Sequence, residues 1–167
     1  GALSGSAANL VLAFAGTVTE HTGTVTITDA PTLAQLVTIN AETTGAITLN
    51  DASANYSGSA ANLVSAFAGT VTTHTGTVTV TDALSVTNAN TINAATSGVI
   101  TASITDDATD LATLAGTGNN YTITLTDDPT VAQLVAINAA TTGAITLQSA
   151  DGALSGSAAN LVLAFAG

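Results

Sequence analysis

The side chains with the greatest chemical capacity here are carboxylates at recurring positions. Asp29, Asp82 and Asp127 each end an alternating Thr/aliphatic run (TVTITD, TVTVTD and TITLTD), and Asp128 adjoins the third. Asp51, Asp106, Asp107 and Asp151 fall at comparable corners. A column of such oxygens is chemistry suited to Ca²⁺, a hard cation held by carboxylates and carbonyls. Asp29, Asp82, Asp127 and Asp128 are the candidate calcium ligands, although no DxDxDG loop or GGxGxD nonapeptide accompanies them. The competing expectation is helix capping, for which Asp side chains are equally suited. Two carboxylates about 5 Å apart in water repel by only ~0.8 kcal/mol, so such a column needs no ion to exist.

His21 and His74 occupy one corner in two related units, each followed by Thr-Gly. Glu20 beside the first is replaced by Thr73 beside the second, so no ligand set recurs and solvated loop histidines are expected. Ser57, His74 and Asp82 could be drawn as a nucleophile, base and acid, but the third unit has no His. The Gly-containing turns lack the Lys of a phosphate loop. The expectation is a protein that is not an enzyme and has no catalytic residues and no resident cofactor, calcium apart.

The composition sets the surroundings of these groups. The 167 residues contain no Lys or Arg and 11 Asp plus Glu, for a formal charge of −11. Without cations the chain cannot grip phosphate, which excludes nucleic acid, or an anionic membrane surface. Cys is absent, removing disulfides and thiolate sites. No apolar run reaches the ~18 residues of a membrane span. Gly1 resembles neither a natural start nor a signal peptide, so an internal piece of a longer chain is expected.

The elements that position these residues are repeats. Residues 1–16, GALSGSAANLVLAFAG, are identical to residues 152–167, a period of 151. Within it SGSAANLV recurs at Ser4 and Ser57, and Ile-Asn-Ala at Ile39, Ile92 and Ile137. The units run approximately over 1–53, 54–106 and 107–151, the third shortened, with a restart over 152–167. A fixed period of this size is the mark of a solenoid or array.

Each unit divides again. Alternation predicts strands around Val25/Ile27, Ile47/Leu49, Val78/Val80, Ile100/Ala102, Ile123/Leu125 and Ile145/Leu147, six in each period. Between them lie two kinds of short helix. In PTLAQLVTINA, Leu33, Leu36, Val37 and Asn40 share a face, Asp29 stands as N-cap, Pro31 lies in the first turn, and Gly45 is free to take a positive φ at the stop. In SGSAANLVLAFAG, Ser6 caps a stripe of Ala7, Leu10, Val11 and Phe14; Ser59 and Asp107 begin the equivalent helices. The predicted fold class is an α/β repeat solenoid, a parallel sheet with short helices on one face and six coils per 151 residues. An all-β solenoid is the alternative, with Asn40, Asn93 and Asn138 stacked as an amide ladder; the 3.6-residue spacing favours helices.

One such coil buries five or six aliphatic side chains, roughly 10 kcal/mol gross, against a backbone ordering cost of roughly 1–2 kcal/mol per residue. Coils must therefore support one another, and self-association or end-to-end continuation into a long array is expected. The Thr-X-Thr runs would form a hydroxyl face similar to that of ice-binding solenoids and open to O-linked glycans.

SAANLV, AFAGTVT, TVTITD and the AQLVxINAATTG pattern resemble motifs of giant tandem-repeat surface and secreted proteins of bacteria, cyanobacterial ones in particular. The resemblance implies an extracellular or cell-surface structural filament or stalk, with an adhesin arm or a glycan-, ice- or calcium-dependent surface-binding module as the alternative.

Overall fold

The computed structural model describes residues 1–16, 20–149 and 152–166. It is an α/β protein with two parallel sheets. In chain order the elements are β1 (Leu3–Gly5), α1 (Ala7–Phe14), β2 (Val25–Ile27), α2 (Leu33–Ala41), β3 (Ile47–Leu49), β4 (Tyr56–Gly58), α3 (Ala60–Ala66), β5 (Val78–Ala83), α4 (Val86–Ala95), β6 (Ile100–Asp106), α5 (Ala108–Leu111), β7 (Asn120–Leu125), α6 (Val131–Ala140), β8 (Ile145–Thr146) and α7 (Ala158–Ala164). The sheets run β1-β2-β3 and β4-β5-β6-β7-β8, so strands pair in the order in which the chain makes them. Between the sheets, Ile47 N–H donates to Thr70 O and Thr72 N–H to Ile47 O, while Tyr56 pairs with Val78. The segment carrying β3 and β4 thus joins one sheet to the other.

Alternation explains the strands. Val25 and Ile27, Ile47 and Leu49, Val78 and Val80, and Ile100, Ala102 and Ile104 are buried, whereas the hydroxyl residues between them point away from the core. Parallel register places like on like: Val25 lies beside Ile47, Ile27 beside Leu49, and Val78 beside Ile100. The helices cover the opposite side of these aliphatics, with Leu10, Leu36, Ile39, Leu63, Ala89, Ile92, Leu111 and Ile137 all buried. One hydrophobic cluster runs from Ala7 to Ile137, and Val131, Leu134 and Ala164 form a smaller one.

The structure departs from the sequence expectation at several points. β1 and β4 are additional strands, cut from the Leu-Ser-Gly and Tyr-Ser-Gly that precede a helix. Three residues carry too little alternation to be read as a strand; they become one by pairing with β2 and β5. The N-cap of α2 is Thr32, not Asp29, and Thr32 forms a capping box with Gln35 that leaves Pro31 outside the helix. Thr130 and Gln133 repeat the box at α6. Gly45 does not take a positive φ; among the described residues the glycines that do are Gly69, Gly116 and Gly118. Gly45 is needed for another reason. A Cβ there would run into the carbonyl of Gly23, just as one on Gly98 would strike the carbonyl of Gly76. Neighbouring strands approach too closely at these points for any side chain.

Two buried tyrosines give the fold a clean alkaline transition. Tyr56 and Tyr121 lie in the core with hydroxyls that find no hydrogen-bond partner. Burial pushes both up to about 12, with the charge of Asp51 adding to the effect on Tyr56. An unfolded tyrosine ionises near 10, so above that pH the unfolded chain releases protons that the folded chain retains. Stability should therefore hold below about pH 10 and fall through about pH 12. With no Lys, Arg or Cys, no other side chain titrates in that window. Absorbance at 295 nm and circular dichroism should change together; tyrosinate appearing near pH 10 in a folded protein would contradict this burial.

Candidate functional site

The recurring carboxylates join successive coils within each unit. Asp29 Oδ1 accepts from Ala7 N–H at 2.7 Å, Asp82 Oδ1 from Ala60 N–H at 2.7 Å, and Asp127 Oδ1 from Ala108 N–H at 2.7 Å. Each Asp lies in or just after the end of a strand and reaches back to the helix before it. Those helices also carry their own caps: Ser6, Ser59 and Asp107 accept from Asn9, Asn62 and Asp110 N–H. Two of the four amides left unbonded at a helix start are satisfied in this way, one locally and one by the next segment of chain. A negative charge beside the helix N-terminus adds favourable dipole energy. Substituting Asp82 with alanine should cost about 1 kcal/mol, read as a lower urea midpoint. Asp82→Asn, which keeps an acceptor oxygen, should lose less.

The opposite helix ends are closed by asparagines, of which Asn40 was expected on its helix's face and Asn40 and Asn138 in the alternative amide ladder. Asn40 of α2 donates through Nδ2 to the carbonyls of Ser65, in the last turn of α3, and Ala68, just beyond it, at 2.7 and 2.9 Å. Asn138 of α6 repeats this with Leu163 and Ala166 at α7. Asn90 of α4 donates to Thr113 O and accepts from Ala115 N–H after α5. Asn93 instead accepts from Asn119 Nδ2. The signal in the sequence was the fixed Ile-Asn-Ala near the end of all three helices; in α2 and α6 its Asn closes the next helix, a target about 25 residues further along the chain.

The four candidate calcium ligands are not brought into one group. Asp29, Asp82 and Asp127 each cap a different helix, and Asp128 is exposed. Asp151 lies outside the described residues. Among the described residues, the acidic side chains within mutual reach of one ion are Asp106, Asp107 and Asp110. They gather where α5 begins, with Asp107 N–H donating to Asp106 Oδ1.

His74 corrects the expectation of a solvated loop histidine. Its ring is 0% exposed, with Nδ1 3.0 Å from Thr96 Oγ1 and Nε2 2.5 Å from Ala54 O. Tyr56 and Phe67 pack against it at centroid distances of 4.9 and 5.4 Å. A carbonyl only accepts, so Nε2 carries a proton. Thr96 in turn accepts from Gly98 N–H, and its hydroxyl lies 3.1 Å from His74 O. His21 is half-buried and packs on Phe14 at 6.1 Å. The drawn set of Ser57, His74 and Asp82 is not assembled: both ring nitrogens of His74 are engaged elsewhere and Asp82 binds Ala60 N–H.

On the outer face, hydroxyl residues align across strands. Ser4, Thr26 and Thr48 form one row; Ser57, Thr79 and Thr101 a second; Thr105, Thr124 and Thr146 a third. All but the half-buried Thr26 are exposed. No helix among the described residues is long and apolar enough to cross a membrane. Comparison with family models, curated proteins and solved structures gave no match.

Proposed function

We propose that this chain is a section of an α/β solenoid that works as a structural filament or stalk, displayed outside the cell or on its surface. The observation that carries the reading is the pairing order. Each sheet adds strands in chain order, all parallel, with a helix between successive members, while the sequence of the first segment returns as the last. Six coils at the ~4.8 Å strand spacing of a parallel sheet advance roughly 29 Å along the axis. The mechanism is mechanical: backbone ladders along the axis, a dry aliphatic core, and an anionic hydroxyl-rich exterior that keeps arrays from clumping. Tandem chains of one, two and three periods should lengthen by that increment in small-angle scattering. A maximum dimension that does not grow linearly would end the solenoid reading.

The rows of Ser and Thr favour a second reading, an adhesin arm whose hydroxyl face engages a glycan or another patterned surface. Glycan-array binding that disappears when Thr79, Thr101 and Thr124 are replaced by valine would select it.

A further inference from the structure

The outward face of the five-stranded sheet is ordered in two directions. On β6 every outward residue carries a hydroxyl: Thr101, Ser103 and Thr105 alternate with the buried Ile100, Ala102 and Ile104. On β7 the outward residues are Asn120, Thr122 and Thr124, each exposed and each directly beside its β6 counterpart. Thr79 of β5 extends the first of these rows, and Thr146 of β8 extends the third. The result is a grid of polar groups. Its rows step across the strands at about 4.8 Å, and successive rows lie about 6.6 Å apart, two residues along a parallel strand.

Three properties narrow what the grid can hold. It is uncharged in a chain of formal charge −11: no carboxylate stands in its rows, and Asp82, Asp106 and Asp127 lie at or just past the strand ends. A cationic partner finds no counter-charge there. The grid has no aromatic ring, because Tyr56 and Tyr121 of the same sheet point inward and are buried. A single sugar would have nothing flat to stack on. Finally, the grid is stiff. β-Branched Thr has few χ1 choices, and the parallel ladder fixes the backbone beneath it. The spacing is set before anything binds, so little ordering remains to oppose binding.

We propose that this face binds ice. Ice presents neutral groups that both donate and accept hydrogen bonds, as Thr and Ser hydroxyls do, and its oxygens recur in two dimensions at distances close to those of the grid. Each contact is weak by itself, since it exchanges one water partner for another. The grid acts because a rigid surface makes many such contacts at once. The inference rests on the second reading, in which the hydroxyl face engages a patterned surface, and names that surface.

The test is growth of a single ice crystal in a solution of the full chain. The protein should open a gap between melting and freezing temperatures and give faceted crystals. Thr122→Lys sets a long charged side chain inside the grid and should abolish both effects. Ala61→Lys makes the same change of charge at an exposed position of α3 and should leave the gap as it is. Rounded crystals without a gap in the wild-type protein, or equal gaps in the two variants, would overturn the proposal. Should Thr122→Lys lose its circular dichroism signal, fluorescently labelled wild-type protein in a growing ice hemisphere decides instead. Incorporation supports ice binding, and exclusion refutes it. A chain excluded from ice whose glycan-array binding still depends on Thr79, Thr101 and Thr124 removes ice and keeps the hydroxyl-face reading; exclusion together with no glycan binding removes both.

Discussion

Replacing His74 with alanine should lower the unfolding free energy by about 3–5 kcal/mol, the range for emptying a large buried ring site. Tyr56 and Phe67 both lose their ring partner, and the Ala54 carbonyl loses its N–H donor inside the core. An acceptor stranded in this way costs ~1–3 kcal/mol by itself. The imidazole also ties three successive pieces of chain together: Ala54 on one side, its own strand segment, and Thr96 on the other. A domain has a net stability of only about 5–15 kcal/mol, so the variant should sit close to unfolding at 37 °C. His74→Phe would fill the space but not the hydrogen bonds, and should fall between the two. His21→Ala, at a half-buried ring that packs on Phe14 at 6.1 Å, should cost no more than about 1 kcal/mol. Urea denaturation of the four proteins orders them. A His74→Ala midpoint equal to that of His21→Ala would mean that the buried imidazole is not where the structure places it.

The second large effect is expected from a single added methyl group. Gly98→Ala puts a Cβ against the Gly76 carbonyl, which is backbone and cannot rotate away. Relief requires the two strand segments to separate, disturbing the Thr96 hydroxyl bonds to Gly98 N–H and His74 O. Over-packing of this kind costs about 1–3 kcal/mol, and Gly98→Val should exceed it. Gly5→Ala is the internal control. Its Cβ would meet only Leu10 at 3.9 Å, an ordinary contact, and stability should stay within about 0.5 kcal/mol. Thermal unfolding distinguishes the two sites. Equal melting temperatures for Gly5→Ala and Gly98→Ala would show that the close approach is absent.

Much of the architecture was legible because two periods, 2 and 3.6, dominate the sequence and repeat. Val25/Ile27 and Ile100/Ala102 alternate as strands must, and Leu10/Phe14 and Leu36 are spaced as helix faces. The registers follow from matching those pairs. What escaped was everything decided by a residue outside the local window. Asp29 has the right type for a cap, but the helix it caps is the one before it, and Thr32 with Gln35 performs the local role. Gly45 suggests a left-handed turn until the Gly23 carbonyl beside it is known. His74 sits among Thr and Gly, a context that suggests solvent, and is buried only because Tyr56 and Phe67 come from other segments. The carboxylates were legible as equivalent positions but their partners were not: Asp29, Asp82 and Asp127 each accept from a helix about twenty residues earlier in the chain.

Because α3 is closed at one end by Asn40 and at the other by Asp82, neither half of the pattern is portable by itself. Helices that give asparagine alternate with helices that receive it, so deleting α3 together with its strand would set the donors α2 and α4 side by side and leave Asn40 without its carbonyls. Gene duplication or loss in this chain therefore keeps the pattern when it occurs in doublets, while an odd-numbered edit breaks it at the junction. The shortened third unit obeys that rule, having lost loop residues while keeping α5 and α6 as a couple.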